Sequence, residues 1–282
     1  MLQAQKNYIK TVVSTVFLLS LSVGVASAQE SDGSGKYHPF LSDTFNIGFG
    51  LWRPRTELSI GVNDERIDGS ESQSTGSLDF RWRFTKNWSF QGTYWALDTA
   101  AGATLNEDIE FGKYDPPKFF LKDSNVNAGL DTKIARLFFG RSFFRTPSTD
   151  WGVGAGIHWL QLDAFIQGDL KTDPKQDPPL TGRAEASAGV PLPNLGIWYS
   201  YSWSPKWILI TRFDWLDVTI EEISGSLYDA SVGFNYQMSD HFGMGLSVNY
   251  FKLDVSMRDE DWKNAVINTS QTGPLLNITW NW

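Results

Sequence analysis

The sequence predicts an all-β protein, and two features of its 282 residues indicate this class. Apolar and polar side chains alternate with a period of two in many segments, which is typical of strands with one buried face. Short polar turns join these segments, with large aromatic residues on both sides. Trp203 and Trp207, for example, flank Ser204-Pro205-Lys206. Aromatic residues make up 15% of the chain and glycines number 25, which suits short strands and tight turns.

The first 28 residues predict an export signal that is removed from the mature protein. Lys6 and Lys10 precede an apolar run from Val12 to Val25, which at 14 residues is too short for a membrane-spanning helix. Ala26-Ser27-Ala28 then provides the small residues of a cleavage site. We expect cleavage after Ala28, a flexible leader at 29–42 and one folded unit at 43–282.

Charge and cysteine content exclude several classes of function. Without Lys6 and Lys10, the mature chain has 22 basic and 32 acidic residues, a net charge of −10. Because nucleic-acid binding requires a basic surface, this balance excludes that class. The chain has no cysteine, so thiol chemistry and disulfides are excluded as well. We find no metal-ligand spacing, phosphate-binding loop or nucleotide fingerprint, and we predict no catalytic residue set, no cofactor and no metal.

The alternating segments predict strands with aromatic residues on one face and polar residues on the other. In 77–84, Leu78 and Trp82 face one way, while Asp79 and Arg81 face the other. Trp, Phe and Tyr crowd the apolar face, and charged residues share the polar face with glycine and serine. This is the pattern of a transmembrane β-barrel. Ten tilted residues rise about 23 Å, close to the apolar band of about 25 Å in such barrels.

The turns predict an antiparallel up-and-down barrel of about ten strands, with eight to twelve as the range. Four short turns flanked by aromatic residues alternate with five mostly longer connections. Because proline cannot donate a ladder bond, we predict one long first strand with a bulge or bend at Pro54, and a separate strand at 44–52 is the alternative. The predicted strands are 55–63, 77–84, 88–97, 129–144, 151–167, 184–203, 207–221, 227–236, 242–256 and 273–282.

On these features the chain resembles Gram-negative outer-membrane β-barrel proteins. The export signal, the alternating strands and the aromatic last segment "PLLNITWNW" carry the resemblance over the mature chain. It implies residence in the outer membrane, contact with its lipid and lipopolysaccharide, periplasmic short turns and leader, and longer loops outside. Such proteins end on an aromatic residue that the barrel-assembly machinery reads. Trp282 fills that position, with Trp280 on the same face. The resemblance indicates no single functional family.

The alternation also predicts a network of charged side chains inside the barrel. Four acids and four arginines face inward, in a barrel narrow enough for side chains to fill. Unpaired charges would be costly there, so a balanced set indicates mutual pairing, while a narrow polar pore or a ligand pocket is the alternative. The predicted inward charges are Glu57, Asp79, Arg81, Arg83, Arg136, Arg212, Asp214 and Asp229.

Candidates for catalysis are few. His158 is the one histidine inside a predicted strand, and it faces the lumen. Because no serine nucleophile with an obvious partner accompanies it, a role in a polar network is favoured. Acidic residues near the outer strand ends are the other candidates, although carboxylates are common there for solubility. These acids are Asp163, Asp217, Glu221, Glu222 and Asp254.

We therefore expect a non-enzymatic outer-membrane barrel with a structural or surface-interaction role and a charge-filled lumen. Two other classes stay open: a barrel enzyme that acts on lipid A, phospholipid or peptide, and a narrow channel. The outer loops are acidic, and the segment 115–123 places Phe119, Phe120 and Leu121 in one of them. An extracellular ligand at these loops is a further expectation.

Overall fold

The computed structural model of the chain describes residues 38–62, 65–104, 108–111, 118–120, 122, 125–171, 180–220, 223–257 and 265–282. Over these ranges it contains one short helix, α1 (Pro39–Ser42), and fourteen strands. None of the helical residues in these ranges belongs to a helix long and apolar enough to cross a membrane. The strands are β1 (Phe45–Trp52), β2 (Arg55–Val62), β3 (Glu65–Ser72), β4 (Thr75–Arg83), β5 (Trp88–Thr104), β6 (Ile109–Phe111), β7 (Lys118–Phe120), β8 (Asn125–Arg145), β9 (Thr149–Lys171), β10 (Leu180–Ser204), β11 (Trp207–Ile220), β12 (Ile223–Gln237), β13 (Phe242–Met257) and β14 (Ala265–Asn281).

These strands form a closed antiparallel barrel with ten strands in its wall. β1 and β2 follow each other along one wall strand, β3 and β4 along the next, and β6 and β7 form a small extra hairpin beside β9. Wall strands that follow each other in the chain pair with each other, and β14 pairs with both β1 and β2 to close the wall. The predicted ten-strand up-and-down barrel is confirmed. We call its two ends the turn end, where the short turns lie, and the loop end.

The first wall strand keeps one register across Pro54. Trp52 lies opposite Leu275 and Arg55 lies opposite Thr272, so the same number of residues separates the two pairs on each strand. The prediction of one long first strand is therefore confirmed. The interruption at Pro54 is a gap in the ladder and not a bulge, because no extra residue is inserted. Residues keep the same sense of inward and outward on both sides of it.

The outer face near the turn end carries a belt of large apolar side chains. Phe49, with 62% of its surface exposed, is typical of them. Lipid covers such a belt in a membrane, whereas soluble proteins rarely expose an apolar patch of this extent. Aromatic rings stack at the turns: the ring centroids of Trp203 and Trp207 are 6.2 Å apart, and Phe45 lies 5.7 Å from Trp82 and 5.3 Å from Trp282. They match the aromatic girdle of a membrane interface.

Towards the loop end the two faces exchange their chemistry. In β2, Arg55 and Glu57 are exposed on the outside, and Thr56 and Leu58 are buried inside. This half of the barrel therefore resembles a water-soluble barrel, with an apolar interior and a polar surface. Nine buried residues form what we call the apolar cluster: Trp52, Trp95, Leu97, Ile134, Leu160, Leu227, Phe251, Leu253 and Leu275.

The wall extends far beyond the apolar belt. β10 has 25 residues, which at about 3.3 Å per residue makes it about 80 Å long. At a tilt of about 40° the strand still rises about 60 Å, more than twice the apolar band of about 25 Å. β8 and β9, with 21 and 23 residues, run beside it. They are the longest strands of the described wall, and we call their part beyond the belt the projecting sheet.

Candidate functional site: the barrel lumen

The lumen contains a buried network of ion pairs beside the apolar belt. Arg136 holds the Asp214 carboxylate with two bonds, from Nε at 2.5 Å and from Nη2 at 3.1 Å. Arg212 bridges Asp214 at 3.0 Å and Asp229 at 2.8 Å. Asp229 also lies 3.2 Å from Nε2 of His158, whose other ring nitrogen lies 3.1 Å from the Asn194 amide oxygen. Two arginines and two carboxylates therefore balance each other.

Strand register brings these groups together. Asp214 on β11 lies directly opposite Asp229 on β12, a like-charge arrangement that would be unfavourable without a cation between them. Arg212, two residues before Asp214 on the same face, supplies that cation. A Cβ on Gly196, opposite Asp214 on β10, would overlap the carboxylate. Glycine at that position therefore makes the space that the ion pair with Arg136 occupies.

A second buried ion pair lies nearer the turn end. Arg83 Nη2 is 2.6 Å from Asp150 Oδ2, and both side chains are almost completely buried. The sequence analysis missed Asp150 because it stands beside a turn. Its parity was the available signal, since Asp150 is in phase with the inward-facing His158 on β9. The pair links β4 to β9 across the lumen.

The prediction that Glu57 faces the lumen is wrong. Glu57 lies on the outer face, 61% exposed, with its carboxylate 3.9 Å from Arg55 Nε. The prediction assumed that apolar residues always face outward, which holds only beside the apolar belt. Asp150 takes the place of Glu57 among the four inward acids, and Arg145, directly opposite Asp150 in the ladder, joins the four predicted arginines at the turn end. The seven other predicted residues line the lumen: Asp79, Arg81, Arg83, Arg136, Arg212, Asp214 and Asp229.

Helix α1 closes the turn end of the lumen. Its cap is His38, whose Nδ1 accepts a bond from the Phe40 amide at 3.2 Å. The guanidinium of Arg81 lies 3.7 Å above the Phe40 ring and donates to the Phe40 carbonyl. Arg83 and Arg145 both donate to the Leu41 carbonyl, at 2.7 and 2.5 Å. Residues 38–42 of the expected leader therefore form and cap α1, and the rest of the leader lies outside the described residues.

The surroundings of α1 control the charge on its cap. Burial, and secondarily the nearby Arg81 cation, lower the pKa of His38 to about 4. The imidazole is therefore neutral at neutral pH and can accept the capping bond.

His158, Asp214 and Asp229 are the only described group whose side-chain atoms lie close enough for a metal site, within 4.8 Å of one another. Arg136 and Arg212 already bond to the oxygen atoms that would be ligands. A cation placed there would meet two guanidinium groups at close range. The geometry therefore fits an ion-pair network better than a metal centre.

The outer acids that could form a catalytic pair lie apart. Asp163 is on β9, Asp217 on β11 and Asp254 on β13, where Lys252 Nζ contacts the Asp254 carboxylate at 2.5 Å. Glu221 and Glu222 lie outside the described residues, and so do the side chains of 119–121.

The outer wall also carries a row of acids that the sequence patterns did not indicate. Asp98, Asp131 and Asp163 are direct neighbours on β5, β8 and β9, and we call them the acidic row.

The last strand ends in the aromatic girdle. Trp280 and Trp282 are both about half exposed on the outer face, and the Trp282 carbonyl accepts a bond from the Phe45 amide at 2.9 Å. The strand that carries the expected assembly signal therefore also closes the barrel against β1.

The sequence matches no family model and no curated protein. Among solved structures it is similar to the outer membrane protease OmpT of Escherichia coli, with 10% identity, 89% of this chain and 99% of that chain covered, and a TM-score of 0.57. It is also similar to OprG of Pseudomonas aeruginosa, with 12% identity, 89% and 99% covered, and a TM-score of 0.35. For Ail of Yersinia pestis the identity is 8%, the coverage 83% and 98%, and the TM-score 0.30.

The likeness to OmpT is a likeness of fold. With its closed ten-strand wall and apolar belt, the chain has the fold of Gram-negative outer-membrane β-barrel proteins.

Proposed function

We propose that this protein is an integral outer-membrane barrel with a sealed lumen, and that its role is structural or surface interaction. The observation that carries the proposal is closure of the lumen at three successive levels. Helix α1 covers the turn end, the ion pairs cross the lumen beside the belt, and the apolar cluster fills it towards the loop end.

These three levels oppose ion flow for different reasons. The ion pairs occupy a ten-strand interior that side chains can fill, and their charges are mutually balanced. The apolar cluster has few groups that could replace the hydration shell of a passing ion, so an ion would pay a large desolvation cost there. A channel would need both levels to rearrange together.

The projecting sheet supports the surface role. Its outer face is polar, with exposed side chains such as Lys133, Gln161, Arg183 and Glu185. A wall that rises far above the apolar belt reaches the level of lipopolysaccharide sugars and of molecules outside the cell. The acidic row suits contact with cations that bridge lipopolysaccharide or with a basic extracellular ligand.

We place the turn end in the periplasm, with the export signal cleaved after Ala28. Trp280 and Trp282 would then be read by the barrel-assembly machinery during insertion. Mass spectrometry of the outer-membrane protein should find Gln29 as its first residue. A charged residue in place of Trp282 should lower the amount of folded barrel and cause periplasmic degradation, and an unchanged amount would contradict the assembly role.

Conductance in a planar bilayer tests the sealed lumen. The purified barrel should insert without steady ion conductance, and a large open conductance would replace the proposal with a channel. Leu276→Ala changes a side chain on the outer belt and leaves the lumen side chains in place, so it serves as the control variant for insertion. Lipid A mass spectrometry of a deletion strain tests the enzyme alternative, for which the expected result is an unchanged lipid A profile.

A further inference from the structure

We propose that a cavity in the lumen binds a small zwitterionic solute of the α-amino-acid class. The cavity has a volume of about 180 Å³ and lies between α1, the ion pairs and the apolar cluster. Pockets for drug-sized ligands span about 300–1,000 Å³, so this one suits a smaller molecule. Most of its polar wall consists of hydroxyl and amide side chains, among them Ser77, Gln91, Ser231, Asn249, Asn277 and Thr279.

Arg81 provides an unpaired positive charge at this cavity. In the described part of the chain Arg83, Arg136 and Arg212 each contact a carboxylate, whereas Arg81 contacts only the ring and carbonyl of Phe40. Arg81 is 7% exposed, and its Nε has no partner. Because guanidinium stays charged at any working pH, an unpaired one is costly in a buried site. A solute carboxylate would provide the missing partner.

Asp79 provides a carboxyl group without an ion-pair partner at the same cavity. Its carboxylate accepts a bond from Thr93 Oγ1 at 3.0 Å and forms no ion pair within the described residues. Arg212 borders the same space but already contacts Asp214 and Asp229. An ammonium group of the solute would therefore provide the missing partner of Asp79, as a carboxylate would provide the missing partner of Arg81.

The spacing of the two charges suits one small molecule. Asp79 and Arg81 are two residues apart on one strand face, and thus about 6.7 Å apart at the backbone. Ser77, one step further along, has a buried Oγ without a partner in the described structure. A molecule with a carboxylate and an ammonium a few ångströms apart can contact both charged side chains at once.

The apolar residues around the cavity indicate which apolar portion the solute can have and from which end it enters. Trp52, Trp95 and Phe251 border the cavity on the side of the apolar cluster, and Phe40 of α1 borders it on the other side. This leaves room for a short aliphatic portion of a solute. Because the apolar cluster blocks the loop end, access is from the turn end, past the four-residue α1. The site is therefore open to periplasmic solutes when α1 moves aside.

Binding of glycine and its two half-molecules tests the proposal on the purified mature barrel. Glycine, acetate and methylammonium are each equilibrated with the protein and titrated by calorimetry. Glycine should bind at least tenfold more tightly than acetate or methylammonium, because only glycine pairs with both charges. Arg81→Gln and Asp79→Asn should each weaken glycine binding at least tenfold. The matched controls Arg183→Gln and Glu185→Gln, in an exposed ion pair, should leave it unchanged.

A cavity-filling variant keeps the test decisive if a charge variant fails to fold. Ser231→Leu leaves both charges in place, and its folding is checked by heat-modifiable gel mobility. It should abolish glycine binding. Glycine binding that survives Ser231→Leu would overturn the proposal, and so would acetate or methylammonium binding as tightly as glycine. Absence of binding by all three probes would also overturn it, since the cavity would then be filled only by water.

Discussion

β1 and β2 belong to one wall strand with one register, yet their apolar residues face opposite sides of the wall. In β1, Phe49 faces outward with 62% of its surface exposed, while Asn46 faces inward and is 8% exposed. In β2, Glu57 faces outward and Leu58 faces inward with 3% exposed. The backbone continues without a change of parity between them.

The difference shows that parity and polarity are separate properties of a barrel strand. The period of two fixes the side of the wall on which a residue lies. The surroundings decide which chemistry that side needs: lipid requires an apolar outside and tolerates a polar, paired interior, whereas water favours the reverse. One continuous wall therefore contains two interiors of opposite kind, the ion-pair network and the apolar cluster.

The largest expected effect comes from breaking the ion-pair interior. Asp214→Ala leaves Arg136 and Arg212 buried without a shared carboxylate and should reduce the free energy of unfolding by about 3–5 kcal/mol. Glu185→Ala removes an exposed partner of Arg183 and should cost at most about 1 kcal/mol. Denaturant unfolding followed by tryptophan fluorescence measures both. Equal losses would show that the lumen charges are solvated.

The apolar interior should respond to a cavity. Leu253→Ala removes a fully buried side chain from the apolar cluster and should cost about 2–5 kcal/mol. Leu276→Ala, on the lipid-facing belt, should cost less because lipid or detergent fills the space that the side chain leaves. The same unfolding assay compares them. A larger loss for Leu276→Ala would show that the apolar core does not lie inside the barrel.

The docking of α1 should weaken in acid. The folded protein holds the pKa of His38 at about 4, below the ordinary value of 6.5, so the undocked state binds more protons between these two values. Docking stability is fully present above pH 6.5 and falls as the pH drops through about 4, at about 1.4 kcal/mol per unit. The protonated ring would also face the Arg81 cation, whose own charged neighbours are Arg83 and Arg145, opposed by Asp43 and Asp150.

Hydrogen exchange of the backbone amides of residues 40–43 measures this release. Exchange should accelerate from pH 6.5 towards pH 4, after correction for the intrinsic rate. His38→Asn retains a capping side chain that does not titrate, so its corrected rate should stay constant. The same acceleration in both proteins would exclude His38 as the cause.

The smallest effect concerns the acidic row outside the membrane. Burial, and then the charges of Asp98 and Asp163, raise the pKa of Asp131. Because the folded state then binds more protons than the unfolded state, stability falls as the pH rises above the ordinary value of about 3.9. Asp131→Asn should therefore stabilise the barrel at pH 7 by about 0.2–1 kcal/mol, and the gain should vanish below pH 3.9.

Asp217→Asn is the control for that experiment, since the residue directly opposite it on β12 is Ser226. It should change stability little at either pH. An equal gain from both variants would show that net charge, and not the row itself, is responsible.

The sequence was sufficient to predict the number and order of the ten wall strands, because alternation and aromatic turns depend on local chemistry. It did not predict their length: residues 65–72, between two predicted strands, form β3, β5 continues to Thr104, and β14 begins at Ala265. The same alternation predicted the inward side of Arg136 and Asp214, although their pairing depends on register across strands far apart in the chain. Glu57 was predicted wrongly because alternation reports polarity, and polarity reverses where the wall leaves the belt. Asp150 stands one residue before the predicted strand 151–167, so its parity with His158 was not used.

Helix α1 could have been predicted in part. His38 can cap a short helix, Pro39 suits its first turn, and Leu41 is apolar. This pattern is a weak signal, because the rest of the segment has the composition of a leader. Its docking could not be predicted, because it depends on three arginines from two other strands, β4 and β8, that meet at the turn end. The lumen cavity is likewise a product of packing and has no local signature.

Cysteine accessibility along the first wall strand tests the reversal of polarity most directly. The chain contains no cysteine, so single cysteines in place of Phe49, Glu57 and Leu58 can be labelled on intact cells with a membrane-impermeant thiol reagent. Glu57→Cys should react rapidly, whereas Phe49→Cys in the belt and Leu58→Cys in the apolar interior should not. Rapid reaction of Leu58→Cys with protection of Glu57→Cys would mean that parity flips at Pro54, and it would contradict a continuous wall with two opposite interiors.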